Sequence, residues 1–224
     1  MSDWFDAAES GNLNKIKKML HNNNSLLHSR SHDKETAIIK ASENGHLNVV
    51  KYLLKKGANV NDMDETTLRQ SPLILAVFEG NENVVKTLLK RGANIHYRNS
   101  MGDNALITSI QEGKINVTKI LLDNGANINE PNNDDETPLT LATKYSGKGD
   151  TKMRDLLLSR ITSDGGKKTT RKLRKTSNRF SRHNKYKHNL YLLYNQRCAL
   201  FPTRLNFAKM WANNYSKYVP SFPS

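Results

Sequence analysis

The sequence predicts an all-α solenoid of about five stacked helix–turn–helix repeats joined by hairpin loops. Three observations carry that expectation. The tripeptide Gly-Ala-Asn stands at Gly57-Ala58-Asn59, Gly92-Ala93-Asn94 and Gly125-Ala126-Asn127, in steps of 35 and 33 residues. A second glycine, at Gly45, Gly80 and Gly113, keeps the same steps. Between the two markers lie the pairs Leu53-Leu54, Leu88-Leu89 and Leu121-Leu122. Independent markers sharing one period mean a supersecondary unit repeated along the chain.

Each unit justifies its own helices. The openers are Thr36-Ala37-Ile38, Ser71-Pro72-Leu73, Asn104-Ala105-Leu106 and Thr137-Pro138-Leu139. Thr36, Ser71, Asn104 and Thr137 carry side-chain oxygens suited to N-caps, and Pro72 and Pro138 fall at the first helical position, where no amide donor is needed. An apolar run with one small residue follows (Ala41, Ala76, Ser109, Ala142), and the first glycine ends it in a left-handed turn. In the second helix Val49, Val50, Leu53 and Leu54 make one apolar stripe, with Lys51, Lys55 and Lys56 on the wet side. Gly57, Gly92 and Gly125 then end the second helices.

The array has atypical ends, as capping units should. Ala7, Ala8, Gly11, Leu13, Ile16, Met19 and Leu20 mark a degenerate first unit, with Gly11 lying 34 residues before Gly45. The last unit lacks Gly-Ala-Asn and carries extra residues around Gly147-Lys148-Gly149. The predicted repeats are 1–33, 34–68, 69–101, 102–134 and 135–162, filling a domain of residues 1–162.

These units resemble the ankyrin-repeat family. Thr137-Pro138-Leu139-Thr140-Leu141-Ala142 is similar to the family opener Thr-Pro-Leu-His-x-Ala, and residues 44–61 (NGHLNVVKYLLKKGANVN) are close to its consensus. Where the family usually has histidine the chain has Ile39, Ile74, Ile107 and Thr140, so the usual hydrogen bond is expected to be missing. The resemblance implies a non-enzymatic, monomeric scaffold that binds a protein through a concave surface of finger loops and first helices. The fingers fall at about 62–70, 97–103 and 130–136. Phe78, Tyr97, Arg98, Met101 and Tyr145 are candidate contacts there, because aromatic and Arg side chains concentrate interface energy. Packing between repeats would equally account for Phe78. The finger starting at Asp62 is two residues longer than the next, and Asp62, Asp64 and Glu65 give it an acidic tip for a basic surface. The loop from Glu130 to Glu136 is acidic too, and plain solvated charge explains both. The resemblance also makes Asn61 and Asn129 candidates for hydroxylation, although their place in the turn accounts for them as well.

Charge divides the chain. Residues 1–163 hold 21 Lys or Arg and 20 Asp or Glu, whereas residues 164–224 hold 14 and one. Asp164-Gly165-Gly166 reads as a hinge. The segment 163–187 reads as a basic, flexible linker that cannot bury a core. Its Lys167, Lys168, Arg171, Lys172, Arg174, Lys175, Arg179 and Arg182 suit a nuclear-import signal, an arm for nucleic acid or an anionic surface, or a solvated tail. Phe180 and Tyr186 interleave with that charge as stacking residues would. In 188–224, Leu190, Leu193 and Tyr194, then Phe207, Trp211, Tyr215 and Tyr218, have helical spacing. They suggest a short amphipathic helical pair that docks on the last repeat, meets a partner helix or lies on a membrane surface. The run from Gly165-Gly166-Lys167-Lys168 also looks like tails of large DNA virus proteins.

Cys198 is the only cysteine, which excludes an internal disulfide and fits a reducing compartment, cytoplasmic or nuclear. Met1-Ser2-Asp3-Trp4 is too acidic for a signal peptide, and no apolar run approaches the ~20 residues of a membrane span. His28 and His32 fall in a loop without a completing ligand set, and Gly147-x-Gly149 is no phosphate loop. No catalytic residue, metal or cofactor is therefore expected.

Overall fold

A computed structural model describes residues 2–145 and 151–163, and among them the regular structure is helical. The helices come in five antiparallel pairs: α1 (Ser2–Glu9) with α2 (Leu13–Asn22), α3 (Ala37–Glu43) with α4 (Leu47–Lys55), α5 (Pro72–Glu79) with α6 (Glu82–Lys90), α7 (Ala105–Gln111) with α8 (Ile115–Asp123), and α9 (Pro138–Tyr145) with α10 (Lys152–Ser163). A 3₁₀ turn, Asn24–His28, follows α2, so His28 closes a turn instead of lying in open loop.

The expected caps form at three of four openers. Ser71 Oγ accepts the Ile74 amide at 3.2 Å, Asn104 Oδ1 the Ile107 amide at 3.0 Å, and Thr137 Oγ1 the Thr140 amide at 3.3 Å. Thr36 departs from the expectation. Its backbone is extended as a cap should be, but its side chain packs into the interior and Oγ1 meets no partner. The missing histidine bond also needs one correction. Ile39, Ile74 and Ile107 replace it with buried apolar contact, whereas Thr140 Oγ1 donates to Thr137 O at 2.8 Å.

The second helices place Val49, Val50, Leu53, Val84, Val85, Leu88, Val117 and Leu121 in the core, all at most 2% exposed. First helices pack more closely on one another than second helices do, so the stack is tighter on the first-helix side. At α4 and α6 the residue that heads the second helix bonds to the preceding repeat and fixes the register. His46 Nε2 lies 2.7 Å from Glu9 O, and Asn81 Nδ2 donates to Glu43 O at 2.8 Å and Ser42 O at 3.2 Å. These bonds give partners to carbonyls that a helix end leaves unpaired. They also explain a glycine: at Gly45 (φ +74°) an added Cβ would meet Asn81 Oδ1 at 2.6 Å.

The loops between pairs are hairpin fingers with one repeated design. Backbone pairs close them at Ser31 and Glu35, Asp64 and Gln70, Asn99 and Asp103, and Asn132 and Glu136. The residue just before the second member of each pair is left-handed: Lys34, Arg69, Gly102 and Asp135. The second finger is two residues longer, as the sequence indicates. Successive fingers bond to each other through Glu65 N to Lys34 O (3.3 Å) and Ser100 N to Leu68 O (3.0 Å).

Candidate protein-binding face

The residue just before each N-cap is polar and buried. Glu35 is 1% exposed, Gln70 8%, Asp103 2% and Glu136 8%. Because every finger closes on this residue, its side chain falls at the base of the finger, beside the first helix it precedes. Three of the four find a donor on that helix: Lys40 Nζ lies 3.1 Å from Glu35, Gln111 Nε2 donates to Asp103 at 3.2 Å, and Lys144 Nζ lies 2.8 Å from Glu136. Gln70 Oε1 has no partner.

The electrostatics follow from that burial. Desolvation pushes the Asp103 carboxyl up to about 6, against the opposing hydrogen bonds from Gln111 and Asn132. Burial also lifts the Tyr145 hydroxyl to about 12, helped by the charges of Glu136, Asp103 and Glu112. Those four residues, drawn from two repeats, therefore share one acidic neighbourhood on the first-helix side. Burial disfavours the Lys40 ammonium, but Glu35 and Glu9 outweigh it and its pKa is raised.

The structure sorts the sequence-based candidates. Phe78 is half-buried near the end of α5, in the position that Gln111 and Lys144 hold in the next two repeats. Tyr145 ends α9 with its ring 5.6 Å from Lys144 Nζ. Met101, 37% exposed, is the exposed large apolar residue among those described, at the tip of the third finger. Tyr97 is half-buried, and its hydroxyl donates to Arg69 O at 2.6 Å. Arg98 reaches inward from the same finger, donating to Gly102 O at 2.9 Å and Asn133 Oδ1 at 3.2 Å. Both side chains thus join fingers together.

The acidic tip needs correcting. Asp64 is 2% exposed, because its Oδ1 accepts the Thr66 and Gln70 amides and the Thr66 hydroxyl, organising the loop from inside. Asp62 and Glu65 pair with Arg30 of the preceding finger, at 2.7 and 3.1 Å. Asn61 bridges loops by accepting from Asn94 N at 2.7 Å and donating to Gly92 O at 3.3 Å. Asn129 is exposed, with its amide bonded to Asn127 Oδ1 at 3.0 Å. Lys167, Lys168, Arg171, Lys172, Arg174, Lys175, Arg179 and Arg182 lie outside the described residues, as do the hinge at 164–166 and the helical pair expected in 188–224.

Two features escape a motif-by-motif reading. Glu35, Gln70, Asp103 and Glu136 recur in steps of 35, 33 and 33, the beat of the repeats, yet side chains this polar read as surface loop. Arg30 reaches Asp62 and Met63, more than 30 residues away, for which local sequence holds no signal. Among the described residues no group of three or more His, Cys, Asp or Glu is arranged to hold a metal, and no helix is long and apolar enough to cross a membrane. A family model described as ankyrin repeats (3 copies) matches the chain twice, over residues 4–99 and 92–169.

Proposed function

The chain belongs to the ankyrin-repeat family, and on that premise we propose that it is a non-enzymatic, monomeric adaptor gripping one protein partner on its first-helix side. Ankyrin repeats generally mediate protein–protein interaction. The supporting observation is the inner row itself. Buried polar groups recur once per repeat at the finger bases (Glu35, Gln70, Asp103, Glu136), with half-buried Phe78 and Tyr145 near the ends of α5 and α9, in a stack whose backbone is held by its own loop hydrogen bonds. Such a surface presents side chains to a partner with little conformational entropy left to lose. In this reading Met101 extends the contact from a finger tip.

The basic segment then acts as an address or a tether. Fourteen Lys or Arg against one acid in 164–224 suit an import receptor or a polyanion, in keeping with a cytoplasmic or nuclear address. The test is affinity capture with mass spectrometry, using the full chain and residues 1–165, each with and without nuclease. A nuclease-resistant partner kept by 1–165 supports the adaptor. If every partner disappears on nuclease treatment or on removal of the tail, the chain is a nucleic-acid-associated protein and its repeats are accessory.

A further inference from the structure

We propose that the second-helix side of the stack binds the phosphate backbone of duplex nucleic acid along a ladder of lysines. This goes beyond the adaptor reading, whose partner sits on the opposite side of the same stack.

The ladder is built by register. Lys17, Lys51, Lys86 and Lys119 recur in steps of 34, 35 and 33, the same steps that separate Gly11, Gly45, Gly80 and Gly113. Equal steps put the four lysines at one position of α2, α4, α6 and α8, and all four are exposed. Three residues before each stands an exposed asparagine, Asn14, Asn48, Asn83 and Asn116, on the same face of its helix. One turn after Lys51 and Lys86, the exposed Lys55 and Lys90 begin a parallel row. With neighbouring helices about 10 Å apart, the four rungs span roughly 30 Å at an even step.

The positive charge on this side is left over. The second helices carry eleven Lys or Arg against Glu82, Asp123 and Asp155. The first helices carry only Lys40 and Lys144, against Asp3, Asp6, Glu9, Glu43 and Glu79. The three acids on the second helices are already engaged. Glu82 lies 3.8 Å from Lys86 Nζ and accepts from Asn116 Nδ2 at 2.9 Å. Asp123 pairs with Arg160, and Asp155 accepts the Thr151 hydroxyl at 2.6 Å and pairs with Arg154 at 3.2 Å. Lys51, Lys55, Lys90 and Lys119 form no ion pair among the described residues. Lys17 and Lys56, from successive repeats, stand over the one Tyr52 ring at 5.9 and 5.7 Å, so two ammonium groups share it. Like charges held in register by a packed stack repel one another, and a polyanion laid along the row relieves that repulsion.

The side chains of the row select the ligand. Lysine supplies a compact point charge and asparagine an amide donor, and both contact phosphate oxygens. A duplex offers a phosphate every ~3.4 Å along each strand, so each step of about 10 Å spans about three of them. The rungs include no aromatic residue on which an unpaired base could stack, which selects duplex over single strand. They include no apolar side chain to enter a bilayer. Contact is therefore with the backbone and independent of base sequence.

The test is fluorescence anisotropy of the full chain with labelled DNA and RNA duplexes of about 20 base pairs, longer than the row, over a range of salt. Replacing Lys17, Lys51, Lys86 and Lys119 together by Gln should lower the slope of log affinity against log salt by about 3 to 4. Replacing the same four by Arg should leave the slope as in the parent. The basic segment 164–224 is present in every arm and does not enter these differences. In the parent, reductive methylation read by mass spectrometry should show Lys51 and Lys119 protected by duplex, and Lys34, exposed in the first finger, unprotected. That arm uses the unaltered chain, so a damaged fold cannot imitate its result. A slope change with both duplexes supports a shared phosphate contact, and one confined to DNA or RNA supports the ladder and names the duplex it fits. The proposal is overturned if the Gln variant keeps the parent's slope with both duplexes, or if Lys51 and Lys119 stay as reactive as in the free chain. It is overturned equally if polyglutamate of matching charge displaces the duplex and protects the same lysines. A protein partner held on the first-helix side should survive all of these substitutions, so the adaptor reading stands or falls separately.

Discussion

Repeat four hides a polar pair where its neighbours are apolar. Ser109 occupies the position of Ala41, Ala76 and Ala142, and Thr118 that of Val50 and Val85. Both are fully buried, and their hydroxyl oxygens lie 2.8 Å apart, bridging α7 and α8. Each also reaches a carbonyl on its own helix, Leu106 O at 2.7 Å and Lys114 O at 3.0 Å. With two hydroxyl protons for three contacts, one hydroxyl must donate to the other while that other donates to its own carbonyl. Ser109→Ala or Thr118→Val alone removes the cross-helix bond and strips a partner from a buried oxygen, at a cost of about 1 kcal/mol each. Replacing both recreates the Ala/Val pair of the neighbouring repeats and leaves no polar atom behind, so the double variant should match or exceed the parent. The expected coupling is about 2 kcal/mol. Urea unfolding followed by circular dichroism reads this as a midpoint lowered by roughly 0.5 M in each single variant and restored in the double, with an unchanged slope. A double variant destabilised by the sum of the two singles would refute the reasoning, because the hydroxyls would then act independently.

Three further outcomes follow from the same contacts. The pKa of Asp103 is raised in the folded chain to about 6 from an ordinary 3.8, so its contribution is lost as pH climbs from about 4 through 6 and stays lost above. Asp103→Asn should therefore gain stability relative to the parent between pH 4.5 and 7.5, by about 2 kcal/mol, as thermal melts at the two pH values would show; a pH-independent difference would contradict the burial argument. Gly102→Ala should destabilise by about 2 kcal/mol or more, because φ is +79° and the new Cβ would lie 2.6 Å from the Asn133 backbone nitrogen. A melting temperature within error of the parent would show that the third finger can move aside. Arg30→Met should cost under about 1 kcal/mol globally yet speed amide exchange at Glu65 and Arg69, since it removes the side chain pairing with Asp62 and Glu65 and bonding Lys34 O and Met63 O.

Much of the fold was legible because helix ends are local. A glycine that must turn left-handed, an N-cap oxygen and a heptad-like stripe each sit within a few residues of the structure they set. Gly45, Gly80 and Gly113 could thus be placed from sequence alone, and all three have positive φ. The face was less legible because its meaning lies between repeats. Asp64 sits among Asp62, Glu65 and Thr66 in the sequence and reads as surface, yet it is the loop's internal acceptor. Phe78 could be singled out as an aromatic at a helix end, but its half-burial appears only once the repeats are stacked.

The same distinction governs charge. Summed along residues 1–163 the array is nearly neutral, and a reading by composition assigns the protein's basicity to 164–224 alone. Summed by layer, the array has a strongly basic second-helix side and an acidic first-helix side. Alternation between the layers every ten to twenty residues is what cancels them in the linear sequence.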